Sequence, residues 1–250
     1  MKTRKFAVAI ATFASAALLA ACGNVSTTNT SAAGSTVGET FKIGYNLELS
    51  GAVSSYGQTE ENGANLAVKE INAAGGIDGK KIEVITKDNK SETAEAATVA
   101  TSLASEGANV VIGPATSGAS AASIPALTSA GVPMISPSGT QTNLVENDKG
   151  EVQEYFFRTT FTDGYQGEIM AKYATENFSA KKVVLYFDNS SDYGKGVAEA
   201  FKKAYTGEIV SESTFASDVK LVIKFIETLK SRYENDVEIK CGYEAGCLGY

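Results

Sequence analysis

Two hydroxyl-rich turns have the residue types best suited to binding a small polar group. The first turn, residues 113–117, follows the apolar β-branched run Val110-Val111-Ile112 and leads into an Ala/Ser-rich helical pattern. The second turn, residues 136–140, has the sequence Ser-Pro-Ser-Gly-Thr and follows the next short apolar run. A strand that leads into a helix N-terminus presents unpaired backbone N–H groups and the positive end of the helix dipole. Turns of this kind therefore favour an anion, such as a carboxylate.

The composition of the chain argues against several other kinds of chemistry. The 250 residues include no histidine, and the formal net charge is −7 at pH 7. Without histidine the usual general base and most common zinc sites are missing, and no Gly-x-Ser-x-Gly motif is present. The acidic balance disfavours a basic surface for nucleic acid. We therefore expect a protein that is not an enzyme, binds no nucleic acid and uses no metal or cofactor.

Strand and helix patterns alternate along most of the chain. The first series consists of strands at 41–47, 80–88, 110–112 and 132–136, with helices at 60–73, 91–106 and 119–130. In the helix at 91–106 we expect the inward-facing residues to be Ala94, Ala97, Thr98, Thr101, Leu103 and Ala104. The second series consists of a helix at 163–178, a strand at 182–187, a turn at 192–196, a helix at 197–205 and a strand at 209–215. This alternation predicts an α/β fold with a doubly wound parallel sheet, in which ligands bind beyond the carboxyl ends of the strands.

The N-terminus has the features of a targeting signal. Residues 1–21 combine a basic start with a short apolar segment that ends in Leu19-Ala20-Ala21-Cys22-Gly23, which resembles a bacterial lipobox. The resemblance implies a signal peptide cleaved before Cys22 and a lipid on the Cys22 thiol. The protein would then be anchored at the extracytoplasmic face of the cell membrane by this lipid. The alternative is a simple secretory peptide with an incidental cysteine. Residues 22–40 comprise this cysteine and a predicted flexible tether that is rich in Ser, Thr and Gly.

A series of short motifs resembles one family of proteins. The motifs include Tyr56-Gly57, Gly75-Gly76-Ile77-Asp78-Gly79, Phe157-Arg158-Thr159-Thr160 and Tyr193-Gly194-Lys195-Gly196. In this order they resemble the branched-chain (Leu/Ile/Val) amino-acid-binding proteins, which are substrate-binding subunits of ABC importers with the type I periplasmic-binding-protein fold. The resemblance implies an N-terminal ligand-binding lobe at 41–160 and a partial second lobe at 161–216. The implied partners are an amino acid of the Leu/Ile/Val class and an ABC permease.

The resemblance also implies roles for six residues. Ser117 would donate its hydroxyl and N–H to the ligand carboxylate, Thr140 would contact both ends of the ligand, and the Ser138 carbonyl would accept from the ammonium. Tyr56 would close over the ligand, Asp163 would bind the ammonium, and Tyr193 would approach from the second lobe. The alternatives are that Ser117 and Asp163 are only helix N-caps, that Ser138 and Thr140 belong to an ordinary turn, and that Tyr193 is a surface aromatic in a turn.

Residues 217–250 differ from this family pattern. Tyr243-Glu244-Ala245-Gly246, followed by Gly249-Tyr250, resembles the second acidic region of a DEDD-type insertion-sequence transposase. A single carboxylate, Glu244, does not form a two-metal centre, so we expect no nuclease activity. This resemblance implies a truncated binding protein with a non-family tail; the alternative is a divergent continuation. Two other functions remain open, namely a ligand-sensing surface receptor on the same fold and an inactive, interrupted gene product.

Overall fold

The computed structural model describes residues 37–147 and 149–216. Several sequence predictions lie outside these residues: the signal peptide and its lipobox, lipidation of Cys22, the tether up to residue 36, and the tail at 217–250. Within the described residues, no helix is both long enough and apolar enough to cross a membrane.

The first sheet consists of five parallel strands. Its strands are β1 (Phe41–Leu47), β2 (Ile82–Asp88), β3 (Val110–Ile112), β4 (Met134–Ser136) and β5 (Phe156–Arg158). They lie in the order β2-β1-β3-β4-β5, and all neighbours pair in parallel. The chain adds β2 on one side of β1 and then crosses to add β3 on the other. The carboxyl ends of β1 and β3 therefore border the topological switch point, where ligands of such sheets bind.

Helices cover both faces of this sheet. They are α1 (Ser54–Ala73), α2 (Thr93–Ser105) and α3 (Ser117–Ala130), with a short 3₁₀ turn at Thr142–Leu144. Side chains along a strand alternate between faces. One face of β1 accordingly packs against α1, through Ile43, Tyr45, Leu47 and Val68. The other face of the sheet packs against α2 and α3, through Val111, Met134, Leu103 and Leu127. This confirms the predicted α/β fold with a parallel sheet.

The second series forms a smaller unit of structure. It consists of α4 (Asp163–Phe178), β6 (Lys182–Asp188), α5 (Asp192–Ala204) and β7 (Glu208–Phe215), and β6 pairs with β7 in parallel. α4 and α5 can approach closely because Gly167 has no side chain; a Cβ there would lie 2.6 Å from the Val197 carbonyl oxygen. The outer face of α4 exposes large apolar side chains, namely Tyr165, Ile169, Met170 and Tyr173.

Two helices begin earlier than the sequence predicts. α1 begins at Ser54 and not at residue 60, so Tyr56 lies in its first turn. α5 begins at Asp192, so Tyr193 is helical and the predicted turn at 192–196 is wrong. In both segments a glycine lies among the residues that the predictions left outside the helix. Gly57 and Gly194 allow close packing, because a Cβ on Gly57 would overlap the Glu48 carbonyl and one on Gly194 would lie 2.5 Å from the Asp188 carbonyl oxygen.

The buried face of α2 matches the prediction only in part. Leu103 and Ala104 are buried as predicted and Ala97 is partly buried, whereas Ala94, Thr98 and Thr101 are exposed. The other buried residues, which the pattern did not predict, are Ala96, Val99 and Ala100. Small residues occur on all sides of this helix, so hydrophobicity alone does not identify the inward face.

Candidate ligand site

The first turn is held by a buried glutamate at the switch point. Glu48 directly follows β1 and is fully buried. Its Oε2 accepts from the Ala115 N–H at 2.9 Å, and its Oε1 accepts from the Thr116 N–H at 3.1 Å and from the Thr116 hydroxyl at 2.8 Å. One carboxylate thus satisfies three donors and fixes the start of α3 against the end of β1. Glu48 is not among the residues predicted from the sequence, although a charged residue directly after an apolar strand is a usable signal.

Ser117 is the first residue of α3, and the N-cap is Thr116. The N-cap alternative for Ser117 is therefore wrong. Its side chain is 4% exposed, and its Oγ accepts a hydrogen bond from the Gln141 N–H at 3.2 Å. A serine hydroxyl can accept and donate at once, so this contact leaves its hydrogen available to another acceptor.

The second turn contacts the first through Ser138. The Ser138 Oγ lies 2.9 Å from the Ala115 carbonyl oxygen and 2.5 Å from Oε1 of Glu60, a residue of α1. Burial raises the pKa of Glu60 to about 7, with a smaller contribution from the negative charge of Glu48, while the Ser138 contact lowers it. Glu60 is likewise not among the residues predicted from the sequence. Its spacing of one helical turn from Tyr56 and Gly57 would have placed it on the face of α1 that meets the sheet.

Thr140 joins the second turn to α4. Thr140 is buried, and its carbonyl oxygen accepts from the Asp163 N–H at 2.9 Å and from Nη1 of Arg158 at 3.1 Å. Nη1 of Arg158 also donates to the Gln141 carbonyl at 2.7 Å. The guanidinium at the end of β5 therefore holds the end of the second turn in place through two backbone carbonyls.

Asp163 has a buried carboxyl without a hydrogen-bond partner. It is the first residue of α4, and the preceding Thr162 is the N-cap, whose hydroxyl accepts from the Tyr165 N–H; the N-cap alternative for Asp163 is therefore wrong. Asp163 is 1% exposed, and neither Oδ1 nor Oδ2 has a partner. Burial raises the pKa of this carboxyl, whereas the nearby Thr140 hydroxyl and the positive charge of Arg158 lower it and so limit the rise. Neither group forms a hydrogen bond of good geometry with Oδ1 or Oδ2.

The carboxyl of Asp163 packs directly against α5. A Cβ on Gly196 would lie 2.5 Å from Asp163 Oδ2 and 3.2 Å from its Cγ, so the absence of a side chain at Gly196 makes room for the carboxyl. Tyr193 lies one helical turn before Gly196. Its hydroxyl contacts the side-chain amide of Gln166 on α4, with Nε2 at 2.9 Å and Oε1 at 3.2 Å. Tyr193 is thus part of the α4–α5 contact and not a surface aromatic in a turn.

The structure brings four of the six predicted residues into one hydrogen-bonded region, in which Thr140 and Asp163 contact each other directly and Ser117 and Ser138 are joined to the turns through Gln141 and Ala115. Tyr56 is 43% exposed and lies one turn before Glu60, on the α1 face that approaches Ser138. Among the described residues, no group of three or more acidic, Cys or His side chains could hold a metal ion.

A comparison with family models places most of the chain in a single match. Residues 40–224 match the family described as periplasmic binding protein. Among characterised relatives, the Leu/Ile/Val-binding protein BraC3 of Rhizobium johnstonii is 35% identical over 170 residues, which are 68% of this chain and 45% of the relative. The Leu/Ile/Val-binding protein of Escherichia coli K12 is 32% identical over 184 residues, or 74% of this chain and 47% of the relative. The chain therefore spans about half the length of these relatives.

Solved structures give the same family. The branched-chain amino acid transporter substrate binding protein LivJ from Streptococcus pneumoniae, in complex with isoleucine, is 54% identical with a TM-score of 0.70, and the match covers 75% of this chain and 53% of that one. A substrate-binding protein from Desulfitobacterium hafniense, in complex with Leu, is 26% identical with a TM-score of 0.61, and the match covers 77% and 56% of the two chains.

Proposed function

Because the chain belongs to the periplasmic binding protein family, we propose that it is the extracytoplasmic solute-binding component of an ABC importer and binds branched-chain or other aliphatic amino acids. The observation that carries this proposal is that one hydrogen-bonded region contains both donor groups for a carboxylate and an acceptor group for an ammonium. A hydroxyl donor and a helix N-terminus lie at Ser117, and an unpaired buried carboxyl lies at Asp163. An α-amino acid has a carboxylate and an ammonium group that match these two ends.

The ligand carboxylate would bind at the start of α3. The Gln141 N–H occupies an acceptor position of Ser117 Oγ, so the hydroxyl hydrogen can point to a carboxylate oxygen. The N–H groups in the first turn of α3 have no partner within the helix and add donors of the same orientation. Hydrogen bonds to a charged group contribute about 1.5–3 kcal/mol each, so a few of them suffice for tight binding.

The ligand ammonium would bind between the second turn and α4. Asp163 supplies two oxygens without partners, and an ammonium donates up to three hydrogen bonds. A positive charge beside Asp163 would favour its ionised form and oppose the rise in its pKa caused by burial. The Ser138 carbonyl and the Thr140 hydroxyl complete the set of acceptors in this proposal.

The ligand would lie between two lobes, at residues 41–160 and 161–216, that close around it. Tyr56 on α1 and Tyr193 on α5 would supply apolar surface with a polar tip from opposite sides. The relatives support an aliphatic side chain, since two solved structures are complexes with isoleucine and with Leu.

Calorimetric titration of the complete chain with leucine, isoleucine and valine tests this function. Leucinamide, which lacks the carboxylate, and isocaproate, which lacks the ammonium, are the matched control ligands. We expect binding of at least one of the three amino acids and loss of binding for both controls. If none of the three amino acids produces heat or raises the thermal midpoint, the chain is not a working binding protein and the inactive-product hypothesis is favoured.

The lipid anchor at Cys22 is a separate part of the proposal, and it is supported by the lipobox-like sequence. Cells that express the chain are labelled with an alkyne analogue of palmitate, and the label on the protein is measured. We expect the label to be lost in Cys22→Ala and kept in Cys247→Ala, the matched control. Secretion of an unlabelled chain into the medium would favour the simple secretory peptide instead.

A further inference from the structure

The hydroxyl of Ser138 has two acceptors and a single hydrogen. Its Oγ lies 2.5 Å from Glu60 Oε1 and 2.9 Å from the Ala115 carbonyl oxygen, and both distances are those of hydrogen bonds. A serine hydroxyl donates only once. If Glu60 were ionised, one of these two contacts would join two acceptors. A proton on Glu60 resolves this, because the acid then donates to Ser138 Oγ and Ser138 donates to Ala115.

The surroundings of the second carboxyl oxygen of Glu60 also favour the neutral acid. Glu60 Oε2 is shielded from solvent and has no hydrogen-bond partner. An ionised carboxylate without donors on one oxygen is unfavourable in such a place, whereas the carbonyl oxygen of a neutral acid loses much less. The carboxylate of Glu48, which accepts three hydrogen bonds, is the contrasting case in the same region.

The charged surroundings of Glu60 also favour the neutral form. Among the titratable groups of the described residues, Glu48 at the end of β1 is the one whose charge acts on Glu60, and it is negative. The first and second turns bring hydroxyl and backbone groups to this contact. On α1 itself, the charge of the neighbouring Glu61 acts on the Tyr45 phenol.

We propose that Glu60 is a proton-carrying positioning residue, which as a neutral acid forms the hydrogen-bond chain Glu60–Ser138–Ala115 and thereby holds the two turns together. Ala115 is the central point of this arrangement, because its N–H binds Glu48 and its carbonyl binds Ser138. Ionisation of Glu60 turns the Ser138 hydroxyl towards the carboxylate and leaves the Ala115 carbonyl without this donor. The two turns then lose their connection through Ser138. The consequence for ligand affinity rests on the proposed function; the protonation state does not.

Infrared spectroscopy of the unliganded protein tests the protonation state. We expect the carbonyl stretch of a buried protonated carboxylic acid at about pH 6 and its loss above about pH 8. Glu60→Gln should lose the part of the band that comes from Glu60, and Ser138→Ala should shift it, because the acid has lost its acceptor. Any part that comes from the buried Asp163 carboxyl, whose pKa is also raised, is identified by its loss in Asp163→Asn. The conservative Glu70→Gln, at an exposed position of the same helix, should keep the wild-type band. An absent band, or one that Glu60→Gln leaves unchanged, overturns the proposal even if Ser138→Ala does not fold.

The ligand-linked test measures the dissociation constant for isoleucine between about pH 6 and about pH 8.5. We expect a several-fold loss of affinity for the wild type as the pH rises, and up to about tenfold per pH unit if only the neutral acid supports binding. Glu60→Gln copies the neutral acid, so its affinity should stay at the low-pH wild-type value throughout. A flat wild-type profile, or an affinity that rises with pH, overturns the positioning role. If no amino acid binds at any pH, the proposed function fails while the infrared result still decides the protonation state.

Discussion

The Oγ of Ser117 accepts a hydrogen bond from the backbone N–H of Gln141 at 3.2 Å, and this contact joins the start of α3 to the residue that follows the second turn. A second contact, from Ser138 to the Ala115 carbonyl, connects the turns on the other side. The two turns are thus assembled by the protein itself. A ligand that binds there does not have to order them, which reduces the entropic cost of binding.

Ser117→Ala should weaken amino-acid binding by about tenfold to a hundredfold, because a hydrogen bond to a charged group contributes about 1.5–3 kcal/mol. Calorimetric titration with isoleucine measures the change. Ser105→Ala on α2, whose hydroxyl donates to the Thr101 carbonyl on an exposed surface, is the control and should bind like the wild type. Equal affinities for the two variants would remove Ser117 from the site.

Asp163→Asn should stabilise the unliganded protein at neutral pH by about 1–3 kcal/mol and abolish ligand binding, because it removes an unpaired buried charge that the ammonium requires. Urea unfolding and calorimetry give the two values. A simultaneous loss of stability and binding would indicate a structural carboxylate instead.

The direction in which the stability effect of Asp163→Asn depends on pH follows from the pKa of Asp163. The pKa of Asp163 is raised in the folded state, so on increasing pH the unfolded chain loses this proton first. The Asp163 contribution to the free energy of unfolding therefore falls between about pH 4 and the raised pKa, and is constant above it. The stability difference between Asp163→Asn and the wild type should vanish below about pH 4. A difference that is independent of pH would contradict this assignment.

Gly196→Ala should reduce ligand affinity and destabilise the α4–α5 contact by about 1–3 kcal/mol, because the new methyl group would lie 2.5 Å from Asp163 Oδ2. Gly164→Ala is the matched control. The nearest atoms to its new methyl group would be 3.6 Å away, so it should gain about 0.5–1 kcal/mol of helix stability. Urea unfolding of both variants measures these changes, and the idea fails if Gly196→Ala is as stable as Gly164→Ala.

Glu48→Gln should lower the free energy of unfolding by about 3 kcal/mol, since an amide group would replace an oxygen that accepts from N–H and O–H donors. Glu60→Gln should change it by less than about 1 kcal/mol at about pH 6, because the amide copies the neutral acid. Chemical unfolding of the two variants side by side tests whether Glu48 is a carboxylate stabilised by donors and Glu60 a neutral acid beside acceptors. Equal losses of stability would contradict this distinction.

The sequence by itself determined the fold class and the position of the candidate site along the chain. Period-two apolar runs such as Phe41–Leu47, alternating with helical patterns, permit little else than a parallel sheet with helices on both faces. Such a sheet brings the residues after β3 and β4 to one edge, so the sequence alone predicts that the two turns lie close together.

The tertiary structure decided the caps, the close contacts and the surroundings of the acidic side chains. Thr116 and Thr162, not Ser117 and Asp163, are the N-caps, and a shift of one residue along the chain separates the two roles. Gly57 and Gly194 allow packing and do not form turns, because each lies in a helix and accommodates the backbone carbonyl at the end of the preceding strand, that of Glu48 or of Asp188. Glu48 and Glu60 are chemically identical in the sequence. Only the fold surrounds Glu48 with donors and leaves Glu60 beside Ser138 with an unpartnered oxygen, because burial and hydrogen-bond partners arise from contacts that local sequence does not specify.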